Sequence, residues 1–249
     1  MALSPSASPL PAAAGTQRCG VCGRDSRQTI FRPMAPEQAP DLDLRPGEAL
    51  RGTMEHWLQQ CPHCGYAAPD ITNAHPGAVA AVGAAPFRAL IQDESHPPLA
   101  RRFLGWAHVL EETGALAAAA EATLQAAWVA DDAGRADLAR TWRLEAVALW
   151  RCGPPLDHEQ AVRVVDALRR AGAWDDAAAA AEQIAQSKPP EAVAEVVGLE
   201  QRLIAARDGG RHTIASALPP PSRRPHVAHR AAGAGPGFWA WLKGLFGRR

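Results

Sequence analysis

Four of the five cysteines fall in two short pairs, Cys19 and Cys22 in "RCGVCGR" and Cys61 and Cys64 in "QQCPHCGYAAPD". Each pair reads C-x2-C followed by glycine, and 38 residues separate Cys22 from Cys61. In a knuckle of this kind the first thiolate ends a strand, and the turn aims backbone N–H groups at the sulfurs. The glycine then permits a tight return. Two facing knuckles supply four thiolates at about 2.3 Å from one ion, a closed tetrahedron with no open position, as in structural zinc sites. Iron in a rubredoxin-like site uses similar knuckles, and a disulfide pairing is the third reading; a reducing compartment disfavours the latter. His63 lies between two ligands and is expected to face solvent, since four cysteines already fill the shell. Cys152, beside Gly153 at a helix end, is expected to be a buried or inert thiol rather than a nucleophile.

The elements that must hold the knuckles are short. "RQTIF" and "TMEHWLQQC" are expected strands, the second leading straight into Cys61. Between them "DLDLRPGE" alternates Asp41 and Asp43 with Leu42 and Leu44. It reads as a solvated loop with the leucines inward, or as an acidic recognition edge.

From about Pro97 the composition shifts to Ala, Leu, Glu and Arg, which are strong helix formers. Leu99, Phe103, Trp106 and Leu110 share one helix face, as do Leu138, Trp142, Ala146 and Leu149, and Trp174, Ala177, Ala181 and Ile184. Gly114, Gly134, Gly153 and Gly172 sit where helix C-termini favour positive φ. Helices are therefore expected over 98–112, 116–132, 135–151, 157–171, 174–187 and 190–207. "EETGALAAAAEATLQAAWVADD" and "RRAGAWDDAAAAAEQIAQSKPP" resemble tetratricopeptide hairpins. Their turn glycines, 114 and 172, are not a multiple of 34 residues apart, so the array is repeat-like rather than a regular repeat; an ordinary alanine-rich bundle is the alternative. The fold class is α+β, mostly α. A four-cysteine zinc-ribbon module (18–76) is followed by a tetratricopeptide-like helical array (97–218).

Cys19-Gly-Val-Cys22 and "WLQQCPHCGYAAPD", followed by an alanine-rich helical array, resemble the bacterial family named domain of unknown function 2225. The resemblance covers roughly residues 18–210. It implies a zinc-ribbon portion joined to tetratricopeptide-like helices, with Cys19, Cys22, Cys61 and Cys64 as ligands, and it brings no known activity. Gly20 stands where the pattern leads one to expect proline.

Residues 1–17, rich in Ala, Pro and Ser, are expected to be disordered. They lack the charged and apolar regions of a signal peptide, and no stretch approaches the ~20 apolar residues of a membrane span. The expected location is cytoplasmic, with peripheral contact at the inner face of the membrane as an option.

Net charge is zero, yet no acid follows Asp208 while Arg211, Arg223, Arg224, Arg230, Lys243, Arg248 and Arg249 do. A Pro/Gly/Ala linker (219–237) leads to "FWAWLKGLFGRR" (238–249), expected to be a short amphipathic helix. There Phe238, Trp241, Leu242, Leu245 and Phe246 follow helical spacing with Trp239 beside them. A stripe of this length suits a membrane surface, a partner's groove or the chain's own array.

No nucleotide loop, nucleophile elbow or H-E-x-x-H occurs, and His75 and His96 precede prolines in loops where a second metal site is conceivable. "DHE" (157–159) is expected to cap a helix. These features point to a non-enzymatic, zinc-holding adaptor with a helical surface for a protein or peptide partner. The runner-up is a nucleic-acid-binding zinc-ribbon protein; few basic residues in the knuckles and an acidic body weigh against it. A rubredoxin-like redox protein is the third option.

Overall fold

The computed structural model describes residues 12–32 and 36–218. The described residues begin with an antiparallel hairpin of β1 (Ala12–Arg18) and β2 (Asp25–Phe31), in register from Ala14 opposite Thr29 to Arg18 opposite Asp25. A 3-10 helix (Leu50–His56) precedes a second, minimal hairpin, β3 (Gln59–Gln60) and β4 (Ala67–Ala68). Eight helices follow among the described residues: α1 (Ala78–Gly83), α2 (Ala85–Gln92), α3 (Pro98–Glu112), α4 (Leu116–Asp132), α5 (Ala136–Cys152), α6 (His158–Arg170), α7 (Trp174–Gln186) and α8 (Glu191–Ala205).

The last six helices lie within two residues of their expected limits, and the turns explain why. Gly114 is left-handed (φ 78°), its N–H bonds the Glu111 carbonyl, and Ala115 N–H reaches back to Leu110. Gly134 and Gly172 repeat this double wrap, the Schellman close of a helix. Gly153 departs from the expectation: its backbone is extended (φ −87°), and Pro154 and Pro155 break the helix instead. At the start of α6, Gln160 N–H donates to the Asp157 carboxylate while the Gln160 side chain accepts from Asp157 N–H, so the expected cap is a complete capping box.

Consecutive helices pack from α3 to α8 around a core that includes Phe103, Leu124, Trp128, Trp142, Trp150 and Leu168. Helix α4 is buried on nearly all sides, as its run of alanines allows: Ala119, Ala120, Ala122, Ala126, Ala127 and Ala130 are all inaccessible. A second core joins the ribbon to the helices, with Tyr66 and Ile71 against Phe87 of α2 and Val109 of α3. Helices α1 and α2 occupy a stretch that the sequence leaves unassigned. Trp106 of α3 packs against both cores.

Three expectations are corrected here. Residues 12–17, read as disordered, form β1; a strand with so little apolar surface is held by backbone pairing to β2 across the first knuckle. Of "TMEHWLQQC", only Gln59 and Gln60 are a strand, and Thr53–His56 lie in the 3-10 helix. The segment around Asp41 and Asp43 is neither solvated nor an acidic edge. Asp41, Leu42, Asp43 and Arg45 are all buried, Leu42 and Asp43 completely.

Cations and donors brought from distant helices cause that burial. Asp43 accepts from Trp128 Nε1 (2.7 Å), from Arg170 (3.2 Å) and from Arg45 N–H (3.2 Å). Arg170 and Arg143 share Asp131, at 2.6 and 2.5 Å. Burial works against ionisation there, yet the two guanidiniums win and hold the Asp131 carboxyl below its ordinary range. Arg45 pairs with Asp132, and Arg51 with Asp41. The chain's later part closes over the same segment: Leu42 N–H donates to His212 O, Ile214 N–H to Pro40 O, and Asp41 bridges Thr213.

Candidate metal centre

Both knuckles are built on one backbone plan. Cys19 follows the last residue of β1, its N–H bonds Arg24 O (2.9 Å), and Gly23 N–H returns to Cys19 O (2.8 Å). Cys61 follows the last residue of β3, its N–H bonds Tyr66 O (2.9 Å), and Gly65 N–H returns to Cys61 O (2.9 Å). Gly23 and Gly65 are left-handed (φ 70° and 80°), the conformation the tight return demands. A β-carbon on Gly65 would stand 2.4 Å from Ile91 Cδ1. The glycine at position 20 also has a local reason. Its N–H donates to Ile71 O (2.8 Å), which proline cannot do, and a β-carbon there would lie 2.7 Å from Thr72 O.

Two glutamines set the hairpins side by side. Gln28 Nε2 donates to Gln60 O and Gln59 Nε2 to Thr29 O, each at 3.0 Å, and Gln59 Oε1 accepts from Ile71 N–H. Tyr66 OH donates to Asn73 O and accepts from His75 N–H, tying the loop after the second knuckle. Sequence reasoning missed these three residues. The signal was the low exposure that a strand alternating around Gln28 implies, but glutamine does not advertise itself as an inward residue.

The result is four sulfurs facing one point. Cys19 and Cys64 Sγ are 3.8 Å apart, Cys22 and Cys61 Sγ 3.6 Å, and all four lie within 4.8 Å of one another. A tetrahedral ion with metal–sulfur bonds of about 2.3 Å needs its sulfurs about 3.8 Å apart. A disulfide would need about 2.05 Å, and all five cysteines are free. The site thus fits a tetrahedral thiolate-bound ion. Burial pushes the Cys19 and Cys64 thiols up. Burial acts on Cys61 too, but the backbone N–H groups of Cys64 and His63 outweigh it and hold that thiol below its ordinary range.

Other residues stand apart from this set. His63 is exposed, with Nε2 3.4 Å from Asp25 O, the bystander position expected. His75 packs edge-on to Trp106 with Nδ1 3.2 Å from Thr113 Oγ1, whereas His96 packs on Trp142; among the described residues they share no metal-ligand cluster. Cys152 is exposed rather than buried, because α5 ends there against two prolines. The stripe Phe238, Trp239, Trp241, Leu242, Leu245 and Phe246 lies outside the described residues. No helix among the described residues is long and apolar enough to cross a membrane. No protein-family model matches the chain, and neither does any curated protein or any solved structure.

Proposed function

We propose that the chain is a non-enzymatic adaptor. Zinc held by Cys19, Cys22, Cys61 and Cys64 fixes the ribbon against α3, and the helical array offers a surface to a protein or peptide partner. The observation that carries this reading is the sulfur spacing of 3.6–3.8 Å within a closed, all-cysteine set. Such a set leaves no coordination position for a substrate, so its ion stabilises rather than reacts. The second core gives that role a purpose: Cys19 and Cys61 belong to the same cluster as Tyr66 and Ile71, which pack on α2 and α3. Kinship with the family named domain of unknown function 2225 is part of the same proposal and adds no activity to it.

Metal analysis of the purified chain tests the first half: one equivalent of zinc in a colourless sample is expected. Visible ferric-thiolate absorption would replace zinc by iron and turn the reading toward redox chemistry. Crosslinking followed by pull-down of the full chain tests the second half, and a reproducible absence of any crosslinked protein would withdraw the adaptor role.

A further inference from the structure

Away from the metal centre an open groove of about 450 Å³ runs between α3, α4 and α5, with Leu90 of α2 at its edge. Leu104, Ala107, Leu116, Ala148 and Leu149 line it, so its walls are apolar and several of its side chains are small. Glu111, Glu145 and His108 also line it, and no lysine or arginine does. Both acids sit at the exposed rim of the groove, where partial desolvation, and then the neighbouring Glu111, push the Glu145 carboxyl up. An occupant matched to this groove has bulky apolar side chains for the alanines and a positive charge for the two acids.

The chain carries such a segment in residues 238–249. Phe238, Trp241, Leu242, Leu245 and Phe246 recur at helical spacing, and Lys243, Arg248 and Arg249 bring cations without any acid. Its tether is long enough. His212 is bonded to Leu42, beside Asp43, which holds Trp128 on α4. Leu116 and Thr123 line the groove 12 and 5 residues before Trp128, or roughly 8–18 Å along the helix at about 1.5 Å per residue. The linker, 219–237, spans about 24 Å root-mean-square if flexible.

We infer that residues 238–249 dock in the α3–α4–α5 groove of their own chain, apolar stripe inward and cations on Glu111 and Glu145. A membrane surface would also accept this segment but would leave the groove's paired acids unanswered. The inference does not rest on the adaptor reading, and a failed tail experiment leaves that reading standing. A tether of this kind gives an effective concentration on the order of 1 mM, so a groove binding the free segment at about 100 µM would be filled about nine-tenths of the time.

Amide hydrogen exchange of the full chain tests the inference. Backbone amides of 240–249 should exchange about tenfold more slowly than unstructured peptide. Trp241→Glu should abolish that protection and speed exchange in 104–118. The pair Glu111→Lys and Glu145→Lys should do the same from the groove side. Three results would overturn the docking. The first is a tail that exchanges at the unstructured rate, or protection indifferent to both changes. The second is protection gained only on adding phosphatidylserine vesicles, which would assign the segment to lipid. The third is protection that rises with protein concentration, which would assign it to a second copy.

Discussion

Changing Cys61 and Cys64 together to serine removes the second knuckle's grip on the metal while leaving the first knuckle's two thiols in place. With an ion held by all four thiols, Cys22 and Cys61 would close a loop of 39 residues. Treated as a cross-link, closure of about 40 residues removes enough unfolded-state entropy to stabilise the ribbon by about 4 kcal/mol. That is close to a thousandfold in the equilibrium for opening it. The helical array has its own core, in which Trp128, Trp142 and Trp150 are buried without contribution from the cysteines. The double variant should therefore lose its metal, and amides in β1, β2 and β3 should exchange several hundredfold faster or more. Amides in α4–α8 should stay within a few-fold of the parent, with far-ultraviolet circular dichroism nearly unchanged. Ribbon protection that falls less than tenfold would show that the hairpins stand on Tyr66, Ile71 and their glutamine clips alone. Collapse of the whole array would show that the two cores are not separable, and either result refutes the reasoning.

Three further outcomes are expected. Gly20→Ala puts a β-carbon against backbone at 2.7 Å from Thr72 O and 2.8 Å from Ala74 N, so metal should leave faster to a competing chelator; an unchanged release rate would count against the close approach. Asp43→Ala strands Trp128 Nε1 and removes one of the two carboxylates bonded to Arg170, a loss of about 3–5 kcal/mol in urea unfolding; less than about 1 kcal/mol would mean the cluster relaxes freely. Glu200 and Asp166 share the single guanidinium of Arg169 in a buried site, and burial, reinforced by Asp166, pushes Glu200 up to about 9. An acid held protonated in the folded state makes stability fall as pH rises from its ordinary value of 4.5 toward about 9. Glu200→Gln should remove that slope, so the variant gains on the parent as pH rises, and parallel curves in urea unfolding between pH 5 and 9 would refute the assignment.

The helices were legible because their limits are written locally. Glycine at the left-handed close, proline at the break, and Asp157 with Gln160 at one start each act within a turn of the chain. The thiol set was legible for the same reason, since each knuckle is a five-residue pattern and only the facing of the two had to be supplied. The segment at Asp41–Arg45 was not. Alternating Asp and Leu carries the signature of a half-exposed surface, and what buries it is Arg170, 127 residues on, with Trp128 between. Strand β1 failed differently. Its alanine, glycine and threonine have almost nothing to bury, so the pairing to β2, and not the side chains, decides its conformation.

The interlock of residues 40–45 with 212–214 also bears on synthesis. Leu42 emerges from the ribosome 170 residues ahead of its partner His212, a wait of roughly ten to thirty seconds at about 5–20 residues per second. For the first half of it Arg45 lacks Asp132, 87 residues on, and for about three-quarters of it Asp43 lacks Arg170, 127 residues on, whereas both knuckles are complete once Cys64 has emerged. The two knuckles can close on the nascent chain, but the charged segment between them stays wet until Arg170 of α6 has been made.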